Sequence, residues 1–221
     1  MTPPTSKNKP KRRYISFNER AYDFLARDYH QKLGDPEREK LMRTLTQPFI
    51  GYLMKNFKHP RILELGCGSG LALKIFEEKE FETTAIDLSR KMIDVARQVA
   101  RKTSFIKGDF LDLNIKSTSF DGVFAKSFIY LFPKEDALQV FRKIKDILAP
   151  NGVINISTTL HPKSREGYLM RSKSKIKIKR FKHEWTEEEL KRSLEKAKLK
   201  IVYYETYSNK RGESGANIML T

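Results

Sequence analysis

Apolar residues in this chain recur with two periods, and the changes of period divide it into elements. Ala21, Tyr22, Leu25, Ala26 and Tyr29 fall three and four apart, one face of a helix for which Asn18 is the predicted N-cap. Asp35-Pro36, an N-cap and first-turn pair, opens a second helix with a stripe of Leu41, Leu45, Phe49, Leu53 and Phe57; Pro60 ends that signal. Short apolar runs then alternate with amphipathic stretches. Arg61–Cys67, Thr83–Leu88, Ser104–Lys107, Asp121–Ser127 and Val153–Thr158 read as strands. Between them lie helices over Leu71–Lys79, from Ser89 through Val99, and over Lys134–Leu148. A capping box, Thr186 with Glu189, opens a helix to Ala197, and strands Lys200–Tyr207 and Asn217–Leu220 follow. This alternation predicts an α/β fold: a doubly wound, Rossmann-like, seven-stranded, mostly parallel sheet with an N-terminal helical cap.

The boundaries that follow are a basic flexible tail at 1–17, the helical cap at 18–60, and a Rossmann-like domain at 61–221. A basic insertion at 160–185 interrupts that domain. Within it, Ile176 and Ile178 alternate with lysines between Lys173 and Arg180, like a strand with one buried face. Insertions of this kind carry contacts that the scaffold does not need.

Composition narrows the class. With 14 Phe and 9 Tyr among 221 residues the chain can pack a core, unlike disordered chains, which lack such residues. No apolar run approaches the roughly 20 residues of a membrane helix, and the basic start leads into no signal-peptide stretch. A cytoplasmic protein without a membrane span is the expectation. One cysteine, Cys67, excludes an internal disulfide and a cysteine-cluster zinc site, and no metal site is expected. The formal charge of +17 produces a field that attracts polyanions, so nucleic acid stays open as a partner through the basic surface. A solvated lysine coat accounts for the same number.

Candidate chemistry concentrates in Glu64-Leu65-Gly66-Cys67-Gly68-Ser69-Gly70, directly after a strand and before a helix. Glycines there permit a tight turn and a close ligand approach. Asp87, at the end of the second strand, is placed to accept ribose hydroxyls. The spacing is G-x-G-x-G rather than the dinucleotide G-x-G-x-x-G, and Glu64 would repel a pyrophosphate while suiting an amine-bearing ligand. Asp109, after the third strand, could accept from an adenine amino group.

Together these residues resemble class I S-adenosylmethionine-dependent methyltransferases. Glu64–Gly70 matches their E/D-x-G-x-G-x-G motif, Asp87 the acid after strand two, and Gly108-Asp109-Phe110 the G-D-x after strand three. Leu148-Ala-Pro-Asn-Gly152 is similar to their L-x-P-G-G turn, with Asn151 in place of a glycine. The helix with Tyr22, Asp23, Ala26 and Tyr29 is similar to the Y-D-x-x-A-x-x-Y helix of small-molecule enzymes of the ubiquinone/menaquinone-biosynthesis type, which folds over the cofactor.

The resemblance implies S-adenosyl-L-methionine as cofactor and S-adenosyl-L-homocysteine as product. Glu64, Gly66, Cys67 and Gly68 would surround the methionyl end, and Gly70 would secure the turn. Asp87 would hold the ribose, Leu88 and Met92 flank the adenine, and Asp109 and Phe110 bind and pack it. Lys126 and Ser127 would border the sulfonium, with Tyr22 and Tyr29 above. Lys126 departs from expectation, because a cation beside a sulfonium is unfavourable unless it points at an anion. Methyl transfer needs mainly in-line placement, with a general base only for a protonated acceptor. Candidate bases are His161, His183, Tyr22 and Tyr130.

Three function classes follow: methyl transfer to O, N or C of a small molecule, for which an anionic acceptor would suit the basic insertion; an RNA methyltransferase; or a non-catalytic cofactor-binding regulator. The first is expected, since a cap and an insertion could close a pocket. No separate RNA-binding motif is legible, and Ala125-Lys126-Ser127-Phe128 stands where nucleic-acid amine methylases carry N/D-P-P-Y/F.

Overall fold

Strands β1 (Arg61–Leu65), β2 (Glu82–Asp87), β3 (Ser104–Lys107), β4 (Phe120–Lys126) and β5 (Leu148–Thr159) run parallel. With β8 (Ile201–Ser208) and β9 (Ser214–Leu220) they form a seven-stranded sheet in the order β3-β2-β1-β4-β5-β9-β8, β9 antiparallel to both neighbours. The computed structural model describes residues 12–170, 178–208 and 214–221. Chain order reverses between β1 and β4, and open α/β sheets bind ligands beyond the carboxyl ends of their strands at such a switch point.

Period-two alternation explains why both faces of the sheet are covered. Ile62, Phe124 and Val153 face Phe49 and Leu53 of α2 (Pro36–Asn56) and Phe76 of α3 (Leu71–Glu77). Leu63, Val123 and Ile154 face the other way, into a cluster with Phe141 and Ile144 of α5 (Lys134–Ile147) and Leu190 and Leu194 of α6 (Glu187–Lys196). At roughly 1.5–3 kcal/mol for each large side chain fully buried, these two layers dominate the stability of the fold.

Side-chain caps set three of the helix starts. The Asp35 carboxylate accepts from the amides of Glu37 and Arg38, and Ser89 caps α4 (Arg90–Ala96) by accepting from Met92 N–H at 3.0 Å. Thr186 accepts from Glu189 N–H at 3.2 Å.

Two expectations need correction. Helix α1 (Arg13–His30) starts ahead of Asn18, which is buried inside it rather than capping it. The Asn18 side chain is consumed elsewhere: its oxygen accepts from Phe181 N–H at 2.9 Å, and its nitrogen donates to the Leu131 carbonyl at 3.1 Å. Leu41 is 42% exposed, so the buried stripe of α2 begins at Leu45.

The insertion forms a separate antiparallel hairpin of β6 (Arg165–Met170) and β7 (Lys179–Glu184), with Tyr168 paired to Phe181. These two rings pack on Phe17 and Tyr14 of α1. Ile178 packs beside the α1–α4 cluster of Leu25, Ala26, Met92 and Val95. Ile176 lies outside the described residues, as do Lys173, Lys175 and Lys177. Among the described residues no helix is long and apolar enough to cross a membrane.

Candidate active site

The turn after β1 requires glycine for two reasons. Gly66, Gly68 and Gly70 all have left-handed φ, at 69°, 53° and 74°, which L side chains adopt at a cost. Space is also missing: a Cβ on Gly66 would lie 2.8 Å from the Phe128 ring, and one on Gly70 2.9 Å from the Ala96 backbone. The turn thus exposes bare backbone to a cavity of about 170 Å³ above the carboxyl ends of β1, β2 and β4.

Two acids meet at the floor of this cavity. Asp87 accepts from Ser89 N–H at 2.8 Å and Gly68 N–H at 3.2 Å, bonds that favour its ionised form. Burial outweighs them and pushes its carboxyl up to about 6. Glu64, at 4% exposure, has one carboxyl oxygen buried without a hydrogen-bond partner. Burial first, then the nearby Asp87, push it well above the usual carboxylate range, against the opposing pull of Lys126 and a backbone hydrogen bond from Leu73. An unpaired buried carboxyl beside a second acid is costly. The pair is complementary to a ligand that brings a cation and hydroxyl donors. Cys67 sits between them, and burial raises its thiol well above the ordinary value, so it is not a thiolate nucleophile.

Helix α1 forms the roof. Tyr22 and Tyr29, seven apart and therefore two turns along one face, both line the cavity, as do Leu88 and Lys126. Burial depresses the Lys126 ammonium and Arg38 adds to this, with Tyr130 and Glu64 pulling the other way. The wall also contains Arg38 of α2 and Tyr130, from the 3-10 turn Ile129–Leu131. The Tyr22 and Tyr130 hydroxyls are 3.4 Å apart, and Arg180 of β7 donates to the Tyr22 hydroxyl.

Other expected site residues stand elsewhere. Gly70 lies behind the cavity as the N-cap of α3, and Met92 is buried in the α1–α4 cluster. Asp109 is ion-paired with Arg12, which also reaches Asp112 at 2.7 Å. Phe110 is buried, and its carbonyl accepts from Lys143 at 2.6 Å. His161 lies 3.2 Å from Lys182. His183 is buried flat against Trp185, 4.0 Å between ring centres, and 3.0 Å from Glu189. Neither histidine lines the cavity. For His183 the alternation of β7 is the reason: Arg180 and Lys182 approach Tyr130, while Phe181 and His183 point to the opposite side. Arg38 and Arg180 were not singled out by the sequence for this cavity; for Arg180 the signal was the strand alternation, without the side it faces.

A family profile described as a methyltransferase domain matches residues 62–152, which span the glycine turn, both acids and strands β1 to β4. Residues 62–152 are thus similar to a methyltransferase domain. A Bacillus subtilis protein with a methyltransferase name is 34% identical over 103 residues, 42% of this chain and 40% of that protein. An Aspergillus nomiae O-methyltransferase is 28% identical over 134 residues, 56% of this chain and 58% of that one. The chain thus spans about half the length of these curated relatives. In fold, the chain is similar to a Burkholderia thailandensis 1,6-didemethyltoxoflavin N1-methyltransferase solved with that compound and S-adenosylhomocysteine. The TM-score is 0.74 at 18% identity, over 99% of this chain and 92% of that one.

Proposed function

We propose that the methyltransferase domain binds S-adenosylmethionine and directs its methyl group to O, N or C of a small, anionic molecule. The observation that carries this reading is the unpaired, buried Glu64 oxygen beside Asp87 over the glycine turn. Glu64 would take the methionyl ammonium, Gly66 and Gly68 would admit the carboxylate, and Asp87 would accept from the ribose hydroxyls, with Leu88 beside the base. Asp109 and Phe110 would serve the adenine if Arg12 shares or releases the Asp109 carboxylate. When bound, the cofactor supplies an electrophilic methyl group on a sulfonium.

The chain's own residues do the rest. The glycine turn fixes the donor end, α1 excludes water from above, and the Tyr130 corner orients the acceptor. Placement of this kind supplies much of the rate of a displacement. Arg38 and Lys126 in the cavity wall, with Arg180 on the Tyr22 hydroxyl, favour an anionic acceptor. A cavity of about 170 Å³ favours a small one.

The test is incubation with a methyl-labelled donor and either a small-metabolite extract or total RNA. Label in a small product is expected. Label in RNA alone would reverse the choice of acceptor, and label in neither would refute the activity.

A further inference from the structure

We infer that Tyr130 is the proton-accepting base of the reaction, its phenolate form stabilised by Tyr22 and Arg180, and that the acceptor therefore arrives as an O–H or N–H compound. The inference rests on the methyl-transfer reading above.

With Tyr130 ionised, the hydrogen bonds run in one direction. Arg180, a donor only, gives a hydrogen bond to the Tyr22 oxygen. Tyr22 keeps its own proton, since burial raises its phenol well above the ordinary value. Its O–H is left to point at the Tyr130 oxygen, 3.4 Å away. A phenol oxygen that receives such a donor is stabilised as the anion.

Charge from two strands adds to this. The Arg180 guanidinium lies 5.2 Å from the Tyr130 ring centre and 5.5 Å from that of Tyr22, and the Lys182 ammonium lies 5.7 Å from Tyr130. Lys126 acts on Tyr130 from β4, and the neutral phenol of Tyr207 approaches from β8. Burial works to raise the Tyr130 phenol; Arg180, the Tyr22 hydrogen bond and the two lysines outweigh it and bring it down to about 8.

Tyr130 lines the same cavity as Glu64 and Lys126, the space in which donor and acceptor would meet. In the step proposed, the O–H or N–H bond of the acceptor breaks, its proton bonds to the Tyr130 oxygen, and the electron pair stays on the acceptor atom as the nucleophile. The phenol then returns the proton to solvent. Tyr130 is the catalytic residue; Tyr22 and Arg180 are positioning residues.

The experiment is an ultraviolet tyrosinate titration of the full chain, with S-adenosylhomocysteine binding and methyl-label transfer to the metabolite extract measured across pH. One tyrosine of the wild type should ionise with a midpoint of about 8, against about 10 for an ordinary phenol. Tyr130→Phe should abolish that ionisation and lower label transfer by about 10²–10⁴-fold while still binding S-adenosylhomocysteine, which shows that it is folded. Arg180→Gln should move the midpoint up by about 1–3 pH units, Arg180→Lys by less, and Tyr22→Phe should also raise it. Absence of an ionisation near 8, or wild-type label transfer by Tyr130→Phe, overturns the inference. A wild type that does not bind S-adenosylhomocysteine overturns the methyl-transfer reading instead, while the titration still judges the phenolate.

Discussion

Replacing Glu64 by Gln should move ligand affinity and intrinsic stability in opposite directions. The carboxyl is buried, has one oxygen without a partner, and is pushed well above the usual range by burial and by Asp87. A folded-state value raised in this way favours the protonated form. The contribution of Glu64 to stability is therefore present below its unfolded value, near 4.3, and lost as pH rises towards the folded one. Gln keeps the shape and removes the titration. The ligand-free variant should be at least as stable as wild type at pH 7, with a flatter stability profile above pH 4.

Binding should respond in the other sense. A hydrogen bond to a charged group contributes about 1.5–3 kcal/mol, so S-adenosylhomocysteine should bind about 10- to 150-fold more weakly. At a ligand concentration 100 times the wild-type Kd, wild type gains about 2.7 kcal/mol from binding, and a variant weakened 100-fold gains only about 0.4. Calorimetric titration and thermal melts with and without ligand measure both effects. A variant that binds as tightly as wild type, or that is less stable than wild type without ligand at pH 7, would refute this reading of Glu64.

Further predictions concern neighbouring parts. Because the Asp87 carboxyl is pushed up to about 6, its own contribution to stability is present below about pH 4 and lost as pH rises through 6. Ligand affinity should rise over that same window as the acceptor ionises, and titrations at pH 5 and 7.5 would show it. Gly70→Ala forces a left-handed residue, about 1–2 kcal/mol, and also a clash with the Ala96 backbone. A fall in Tm of at least roughly 4 °C is expected. Asn18→Ala strands the buried Phe181 N–H, costing about 1–3 kcal/mol in chemical denaturation, and should loosen the hairpin that carries Arg180.

The legible parts of this molecule were those encoded locally. The sheet and its two packed layers follow from short apolar runs, the glycine turn from residues that tolerate positive φ, and the shared face of Tyr22 and Tyr29 from helical spacing. The illegible parts depend on partners far along the chain. Asn18 has the chemistry of a cap, and only the arrival of Phe181 and Leu131 turns it into an interior tie. The tail reads as flexible by composition, yet Arg12, just before α1, pairs with Asp109 after β3. In β7 the alternation is visible, but which side faces the cavity is decided by how the hairpin lies on α1. That choice directs Arg180 and Lys182 towards Tyr130 and sends His183 to Trp185.

The most direct measurement is calorimetric titration of the full chain with S-adenosylhomocysteine, and in parallel with a nicotinamide dinucleotide. The account predicts saturable, micromolar-range binding of the first that Asp87→Ala weakens by about 1–3 kcal/mol, and no binding of the second. Heat with the dinucleotide and none with S-adenosylhomocysteine would contradict it.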